Sequence, residues 1–293
     1  MYFRLLFKQK EKMKKIAVVG DIMLDSYCKG EWRKLGAEDL PIISLKSSND
    51  YLGAAAIIAY NIKNLNQDVC LFGYIGKDDA GKMILNMLKE NKINHKIFCK
   101  FKKTIKKSRI NKLLRLDEEI IEPIEYDGLF DTIKKYNPDI IVVSDFGKGT
   151  ITQEFFNKLK TLKATILVDP KNLDYSGAFL ITPNLNEAQE MTKEEDEKKI
   201  IQKLKRKYTN ILLTKGKDGM SLYEFSKKVV NIPTEAKEVY DVTGAGDAAI
   251  AVIASLLAEG KSLKESCIIS NTVAGKAVEH YGQYSIKKED VYK

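Results

Sequence analysis

The chain has 293 residues, of which 44% are hydrophobic, and its 49 lysines and arginines against 40 aspartates and glutamates give a formal net charge of +9. This length and apolar content are enough for a sizeable core, so we expect a globular protein of one large α/β domain or two smaller ones. No run approaches the roughly 18 uncharged apolar residues of a membrane span, and residues 1–7 are too few for the apolar part of a signal peptide. We therefore expect a cytoplasmic protein that does not bind membranes.

The cysteines and the basic residues each have a simple interpretation. Cys28, Cys70, Cys99 and Cys267 lack Cys-x-x-Cys spacing, and only two histidines accompany them, which favours reduced structural thiols over zinc sites or disulfides. The lysines are spread over helical stretches without interleaved aromatic residues. Solvated helix faces and small anionic substrates explain this charge better than nucleic acid does, so we expect no nucleic-acid partner.

The first strand signal begins close to the N-terminus. Residues 1–12 fit no element of the pattern, and we expect them to be a disordered or non-native extension ahead of a single domain over residues 13–293. Residues 15–20 form a short apolar run ending in glycine, which is typical of a buried parallel strand. Asp21 and Asp25 follow this run, at the edge where open α/β sheets bind ligands.

Two β-rich patches, at about residues 29–52 and 95–118, flank a helix that begins near Ala54. They predict a small sheet outside the main layer. Residues 140–144 and 165–168 are further apolar runs, and the helical segment between them gives βαβ spacing. Alternating strands and helices of this kind predict a three-layer α/β/α domain.

The stretch Val239 to Ala251 contains a small-residue turn that opens directly into the apolar segment 248–258. A helix start leaves backbone N–H groups without partners and presents the positive end of its dipole, so it can bind an anion. Gly244 and Gly246 would let a phosphate reach those amides, while Asp247 adds a carboxylate beside them. A carboxylate is useful there if it accepts the proton of a hydroxyl that attacks a γ-phosphate, which predicts a phosphoryl-transfer centre. An ordinary helix start with a first-turn acid is the alternative.

The segment Asp241-Val-Thr-Gly-Ala-Gly-Asp247 resembles the C-terminal signature of the ribokinase or PfkB carbohydrate kinases. In that family the last aspartate is the catalytic base and the Gly-Ala-Gly amides form the anion hole. The resemblance therefore assigns catalysis to Asp247 with Gly244, Ala245 and Gly246. It covers nearly all of the chain from Met13 and implies a ribokinase-like α/β/α domain with a β-sheet lid. Because this lid often forms the family's dimer interface, we expect a homodimer through it.

The resemblance also implies a sugar site. In the family, a Gly-Asp-x-Met-x-Asp segment holds substrate hydroxyls, which makes Asp25 the principal contact and Asp21 a second one. The helix over the sugar opens with Gly53, and Asn61 lies further along it. In this chain Ala54 stands where the family has a second glycine, and Ile57 stands where the family has an asparagine. A substrate hydroxyl facing Ile57 would lose its partner unless another group supplies the bond. Asn61 has capping or packing as its alternative role.

Three segments resemble the heptose-phosphate kinases within this family. Residues 107–118, which include Arg109, resemble their lid strands but are about three residues shorter. Lys148 lies in Ser144-Asp-Phe-Gly-Lys-Gly, and Lys171 lies in Asp169-Pro-Lys. Lysines at the carboxyl ends of neighbouring strands would suit a phosphorylated substrate. Two surface lysines in a lysine-rich chain are the alternative.

The remaining motifs imply ATP and Mg²⁺ as cofactors. Asn184 and Glu187 match the family's Asn-x-x-Glu pattern, which acts on Mg²⁺ and its water shell. They would lie about one turn apart at a helix start, where plain capping is the alternative. The predicted nucleotide contacts are Asn184, Thr214, Gly216, Gly219, Asp241, Thr243 and Asn271, and a monovalent cation near Asp241 is left open.

The leading hypothesis is an ATP-dependent kinase that phosphorylates heptose 7-phosphate at the anomeric hydroxyl. Its product, heptose 1,7-bisphosphate, would serve ADP-heptose, lipopolysaccharide or related glycan synthesis, with a separate nucleotidyltransferase following in the pathway. One alternative is a PfkB-family kinase for another sugar or sugar-like alcohol. Others are a non-catalytic nucleotide- or sugar-binding homologue and a basic nucleic-acid binder. Asp247, Asn184 and Glu187 together argue against a pure binder, because binding alone has no need of a base.

Overall fold

In the computed structural model, residues 13–33, 42–121, 128–236, 240, 243–280 and 282–292 are described. The strands are β1 (Lys15–Gly20), β2 (Ile22–Arg33), β3 (Ile42–Ala54), β4 (Asp68–Gly76), β5 (Asn94–Phe101), β6 (Ile105–Ile110), β7 (Leu114–Glu118), β8 (Ile140–Ser144), β9 (Thr165–Asp169), β10 (Leu180–Ile181), β11 (Asn210–Thr214), β12 (Met220–Glu224) and β13 (Val230–Ile232). The helices are α1 (Ala55–Asn64), α2 (Asp79–Glu90), α3 (Leu129–Tyr136), α4 (Gln153–Leu159), α5 (Leu185–Thr192), α6 (Glu197–Leu204), α7 (Ala245–Ala258), α8 (Leu263–Val278) and α9 (Lys288–Val291). None of the helices within these ranges is long and apolar enough to cross a membrane.

A nine-stranded sheet forms the middle layer, in the order β13-β12-β11-β10-β9-β8-β1-β4-β5. Its strands from β11 to β5 run parallel, while β12 and β13 are antiparallel additions at one edge. The predicted strands at residues 15–20 and 140–144 are confirmed with the same bounds. Because parallel neighbours end at one edge, the loops after β1, β8 and β9 meet there.

Helices cover both faces of this sheet. The side chains of β1 alternate between two hydrophobic clusters, with Ile16 and Val18 in one and Ala17 and Val19 in the other. Helices α1, α2, α7 and α8 pack into the first cluster, and α3, α4, α5 and α6 pack into the second. A strand buried on both faces needs apolar residues at every position, which is why β1 and β8 are continuous apolar runs.

The second sheet has four strands in the order β3-β2-β6-β7, and we call it the lid. It differs from the predicted patches at about residues 29–52 and 95–118. The lid begins at Ile22, one residue after β1, and β3 continues to Ala54. Residues 94–101 form β5, which pairs with β4 at the edge of the main sheet. The half-exposed, lysine-containing pattern of an edge strand resembles that of a lid strand, so the sequence could not separate the two.

Candidate active site

The turn at Gly244, where catalysis is predicted, leads directly into α7. Gly244 precedes the helix in a left-handed conformation, with φ 80°, and as a glycine it supplies no side-chain cap to the first-turn amides. The predicted helix start is therefore present, and binding of an anion at its N–H groups stays a prediction. Ala245 and Gly246 are the first helical residues, and Thr243 forms the turn together with Gly244. Asp241 lies outside the described residues, as does the monovalent-cation position predicted near it.

Asp247 is a buried carboxylate in the first turn of α7. It is 7% exposed, and its Oδ1 is buried without a hydrogen-bond partner. The pKa of Asp247 is raised to about 7, by burial first and then by the negative charges of Asp25 and Glu187, while the charge of Lys107 opposes the rise. A carboxyl group with this pKa can take up and release a proton near neutral pH, as a general base must. The unpaired oxygen is the acceptor that an incoming hydroxyl would meet.

Asp25 lies on β2 in the lid and is held from two sides. Arg109 Nη1 donates to Oδ1 at 2.6 Å, and Gln283 Nε2 donates to Oδ2 at 2.9 Å. Gln283 also contacts the catalytic turn, because a Cβ built on Gly244 would lie 2.4 Å from its Oε1. Gln283 therefore bridges the carboxylate to the turn at the start of α7. The sequence analysis missed this residue, which lies 36 positions after Asp247 without a motif of its own.

Asp21 has a different environment from the predicted sugar contact. It is fully buried, and its two carboxylate oxygens accept backbone N–H groups from Phe146, Lys148 and Thr150. Burial raises the pKa of Asp21, while these hydrogen bonds oppose the rise. The carboxylate thus fixes the loop after β8. Asp21 therefore positions the Lys148 loop, and a direct sugar contact by Asp21 stays a prediction.

Asn61 and Asn271 are likewise engaged by backbone groups. Asn61 is buried on α1 and accepts the N–H of Ile286 at 3.0 Å. Asn271 on α8 donates to the carbonyl of Pro233 at 2.8 Å. Both amides therefore fix the path of a neighbouring segment, so the structure adds no support for direct sugar or nucleotide contacts.

The predicted nucleotide-side residues lie on adjoining segments. Thr214 ends β11 and forms an isolated parallel bridge with Asn184. A short 3-10 turn with Gly216 follows it, and Gly219 closes this turn by donating its N–H to the Gly216 carbonyl at 3.0 Å. The structure therefore brings the Asn184 helix start next to the turn between β11 and β12. A nucleotide-binding role for this turn stays a prediction.

Asn184 and Glu187 form a capping box at the start of α5. Glu187 Oε2 accepts the Asn184 N–H, and Asn184 Oδ1 accepts the Glu187 N–H, both at 2.9 Å. Burial raises the pKa of Glu187. The pKa of Asp169, at the end of β9, is also raised, by burial first and then by the charges of Asp247, Glu187 and Asp145. Asp169, Asp247 and Glu187 are thus three carboxylates that raise one another's pKa at this edge of the sheet, and a divalent cation there would relieve their repulsion.

The described residues contain no preassembled group of three His, Cys, Asp or Glu ligands for a metal. Mg²⁺ in proteins keeps several waters and takes few direct protein ligands, so its binding does not require such a group. Asp169 was not among the predicted site residues, although its Asp-Pro-Lys segment was noted for Lys171. An acid directly at the end of a buried strand was the signal that could have identified it.

Lys148 and Lys171 pair with different carboxylates. Lys148 Nζ lies 2.6 Å from Glu119 Oε1, next to the lid, while Lys171 Nζ lies 3.3 Å from Glu190 Oε2 on α5. Lys171 is the more exposed of the two lysines. The structure thus brings Lys148 to the lid side and gives Lys171 a partner on the side of the Glu187 helix.

The inner face of the lid adds a cation that the sequence analysis did not single out. Lys107 lies opposite Asp25 on one side and Asp117 on the other, and opposite residues of paired strands share a face. Burial lowers the pKa of Lys107, and the charge of Lys148 lowers it further while Asp25 opposes. Lys107 and Lys148 are therefore close enough to influence each other.

Comparisons with known proteins agree with this arrangement. The profile described as pfkB family carbohydrate kinase matches residues 13–111 and 149–290. The Bifunctional protein HldE of Actinobacillus succinogenes is 36% identical over 296 residues, covering 93% of this chain and 61% of that protein. The protein of the same name from Haemophilus influenzae strain Rd is 36% identical over 301 residues, covering 94% of this chain and 62% of that protein. The chain thus spans about three fifths of the length of these curated relatives.

Solved structures share the fold. The Arabidopsis thaliana ribokinase complexed with ribose and ATP has a TM-score of 0.76 at 19% identity, with 96% of this chain and 98% of that chain covered. The phosphofructokinase-2 of Escherichia coli in complex with fructose-6-phosphate has a TM-score of 0.76 at 13% identity, with 96% and 97% covered. These likenesses confirm the predicted α/β/α ribokinase-like fold with a small second sheet.

Proposed function

Because the chain belongs to the pfkB family of carbohydrate kinases, which are phosphotransferases with an alcohol group as acceptor, we propose that it transfers the γ-phosphate of ATP to a phosphorylated sugar. The proposed acceptor is heptose 7-phosphate at its anomeric hydroxyl, with heptose 1,7-bisphosphate as the product. The resemblance of the Lys148 and Lys171 segments to heptose-phosphate kinases supports this substrate.

The buried, unpaired Oδ1 of Asp247 at the uncapped start of α7 is the observation that carries the proposal. A sugar hydroxyl held near Asp25 would donate its proton to Asp247, whose pKa of about 7 makes it a base at neutral pH. The α7 amides at Gly244, Ala245 and Gly246 would bind the oxygens of the transferring phosphoryl group as charge builds on them. Proton acceptance and anion binding thus occur on adjacent residues without competing for one group.

Asn184, Glu187 and Asp169 would hold Mg²⁺, in part through its waters, because their oxygens are the ligand type that this ion prefers. The bound ion would neutralise phosphate charge of the nucleotide. On the chain itself, the capping box fixes both the Asn184 and the Glu187 side chains, so these groups are oriented before any ligand binds. The turn with Gly216 and Gly219 lies next to them and is the proposed phosphate and ribose side of the ATP site.

Two lysines are proposed to select the phosphorylated sugar. Lys148 has the stronger support, because Asp21 fixes its backbone and its ammonium points to the lid beside Lys107. A lysine contact to a phosphate is worth about 1.5 to 3 kcal/mol, so Lys148→Ala should lower kcat/KM for the phosphorylated sugar by roughly 10- to 150-fold. Lys171→Ala, whose lysine is more exposed, should show a smaller selective loss.

The test is a screen of ATP consumption against heptose 7-phosphate, other sugar phosphates and free sugars, at fixed ionic strength. The proposal expects the heptose phosphate to have the highest kcat/KM, with Lys148→Ala removing this preference and hardly affecting a free sugar. Equal losses for both sugars would assign Lys148 to the ATP site or to folding. A wild-type enzyme that prefers a free sugar would contradict the proposed substrate.

A kinase for a different sugar is the second candidate, and one observation favours it. Ile57, which stands where the family has a sugar-binding asparagine, is buried in the core against α7 and offers no hydrogen bond. A substrate that lacks the corresponding hydroxyl would fit this site without an unpaired polar group. The same screen identifies such a substrate by its higher kcat/KM.

We also propose that the protein forms a homodimer through the lid. Large apolar side chains are exposed there, and they include Trp32, Leu45, Leu113, Leu114 and Leu116. Several large apolar side chains exposed on one small sheet are the feature that supports an interface there. Light scattering should give the mass of a dimer for the wild type and of a monomer for Leu114→Lys/Leu116→Lys. Phe225→Lys, at an exposed apolar residue outside the lid, should leave the dimer intact, and a monomeric wild type would refute the proposal.

A further inference from the structure

The lid and the main domain are joined by an ion pair at the rim of the sugar site. Glu119 directly follows the lid strand β7, and Lys148 lies in the loop after β8. Their side chains are 21% and 18% exposed, and Lys148 Nζ lies 2.6 Å from Glu119 Oε1. The ion pair therefore occupies the ammonium that was assigned above to the substrate's phosphate.

Glu119 is only half satisfied in this position. Its Oε2 is buried and has no hydrogen-bond partner. An ionised carboxylate can accept bonds at both oxygens, and leaving one of them desolvated and unpaired has a free-energy cost. Lys148, in contrast, is fixed by the hydrogen bond from its backbone N–H to Asp21. If Glu119 leaves the pair, its Oε2 can be solvated, which removes this free-energy cost.

The surrounding charges favour an anion that carries more negative charge than a single carboxylate. On the inner face of the lid, Lys107 and Arg109 lie in adjacent rows, with Arg115 opposite Arg109. Together with Lys148 these make four cations, against the three carboxylates of Asp25, Asp117 and Glu119. With Glu119 displaced, these four cations would face only Asp25 and Asp117, and the resulting excess of two positive charges matches a phosphate dianion.

We propose that Glu119 is an internal occupant of the phosphate subsite, which the phosphate of the substrate displaces from Lys148. This inference rests on the proposed sugar-phosphate substrate and explains how the subsite would reject free phosphate. An anion that binds alone must compete with Glu119, whose attachment to the lid gives it a high effective concentration. A phosphate on a sugar is itself held near the subsite by the sugar contacts, so it can displace Glu119. The subsite would then distinguish a sugar phosphate from free phosphate in two ways, by competition from Glu119 and by the attraction of its cations for the phosphate.

The experiment measures the affinity for inorganic phosphate, by calorimetry without sugar or ATP, in the wild type and two variants. Glu119→Gln removes the charge that competes with phosphate for Lys148. It should tighten phosphate binding by about tenfold, which is near the lower end of the range for a charge-assisted hydrogen bond because solvent partly screens this pair. Glu118→Gln is the matched control, because Glu118 is the adjacent residue and pairs with Lys103 at 2.8 Å. It should change the affinity by less than about twofold, because its lysine lies outside the subsite.

A third variant locates the effect. Glu119→Gln/Lys148→Met should lose the gain in phosphate affinity, because the gain depends on the freed ammonium. Unchanged or weaker phosphate binding in Glu119→Gln, with a thermal unfolding midpoint near that of the wild type, would overturn the inference. So would a gain that persists without Lys148. Because no turnover is measured, a failed sugar screen would refute the proposed function and leave this result standing.

Discussion

Gly53 and Asp25 fit together only because Gly53 has no side chain: a Cβ built on Gly53 would lie 2.3 Å from Asp25 Oδ2. Asp25 is on β2 and Gly53 is on β3, so the two strands of the lid set this distance. Because Gly53 has no Cβ, Asp25 Oδ2 can stay at this position and accept the hydrogen bond from Gln283 Nε2. The glycine thereby fixes where the proposed sugar-binding carboxylate lies.

We expect Gly53→Ala to impair sugar use while ATP binding stays near normal. The methyl group would displace Asp25 from Arg109 and Gln283, and a misplacement of about 1 Å can cost around 100-fold in rate. Steady-state kinetics with varied sugar, together with calorimetric titration of ATP, would measure the two effects separately. An unchanged kcat/KM for the sugar would show that Asp25 does not need its observed position.

Asp247→Asn should lower kcat by about 10² to 10⁴ while ATP still binds. The amide keeps the shape of the side chain but cannot accept the proton of the hydroxyl. Single-turnover measurements with excess enzyme would separate the chemical step from product release. A variant with near-normal kcat would remove Asp247 from the proposed mechanism.

The pH profile gives an independent check on Asp247. A general base works in its deprotonated form, and the pKa of Asp247 is raised to about 7. Activity should therefore be lost as the pH falls through about 7, in contrast to the limb near 4 expected of an ordinary aspartate. The dependence of kcat/KM on pH between about 5 and 9 would report this pKa in the free enzyme. The Asp247→Asn variant should lack this limb, and a wild-type profile that is flat down to pH 5 would contradict the assignment.

Glu187→Gln should raise the Mg²⁺ concentration required for half-maximal activity by about 10- to 100-fold, because an oxygen ligand near the ion loses its charge. Glutamine can still accept the Asn184 N–H, so the capping box and the stability should be preserved. Glu265→Gln is the matched control, because Ser262 and Glu265 form a second capping box at the start of α8. A shift in the sugar KM without a shift in the Mg²⁺ requirement would argue against the metal role.

Ala54 has an unusual backbone for a residue with a side chain. Its φ of 51° and ψ of −127° correspond to the first central position of a type II′ turn, which glycine normally fills. Ala54→Gly should therefore raise the free energy of unfolding by about 1 kcal/mol, since relief of strain exceeds the added chain entropy of glycine. Ala56→Gly, within α1, should lower it by about 1 kcal/mol. Urea denaturation of both variants would test the contrast, and a destabilised Ala54→Gly would show that the strain is absent.

Local patterns predicted the core strands well because burial on both faces dictates an uninterrupted apolar run. The bounds of β1 and β8 follow directly from this constraint. The start of α7 was predictable for a similar reason, since glycines followed by strong helix formers define such a junction. Which strands pair with each other was not predictable. Residues 94–101 form β5 and pair with β4 in the main sheet, and this pairing depends on residues that are distant in the sequence.

In the candidate site, too, contacts between residues close in the sequence were predictable, and contacts between distant residues were not. Glu187 and Asn184 are three residues apart, so their mutual hydrogen bonds were foreseeable as the alternative to a metal role. Asp21 binds amides more than 120 residues away, and Gln283 reaches Asp25 across 258 positions. Such contacts arise when loops that are distant in the sequence pack against the ends of the strands. No local spacing could distinguish a carboxylate that faces substrate from one that holds a loop.

The connections between the two sheets lie at one end of the lid. Asp21 is the only residue between β1 and β2, α1 begins directly after β3, and the Ala55 N–H donates to the Asp21 carbonyl at 3.1 Å. The strand β6 also begins at this end, with Ile105 opposite Met23. A rigid rotation of the lid would therefore pivot near Asp21. At about 3.3 Å per residue along β2, Asp25 lies about 13 Å from the pivot and Trp32 about 36 Å. In such a rotation Trp32 would move nearly three times as far as Asp25. A small change in the position of the Asp25 carboxylate therefore corresponds to a much larger displacement of the distal end of the lid.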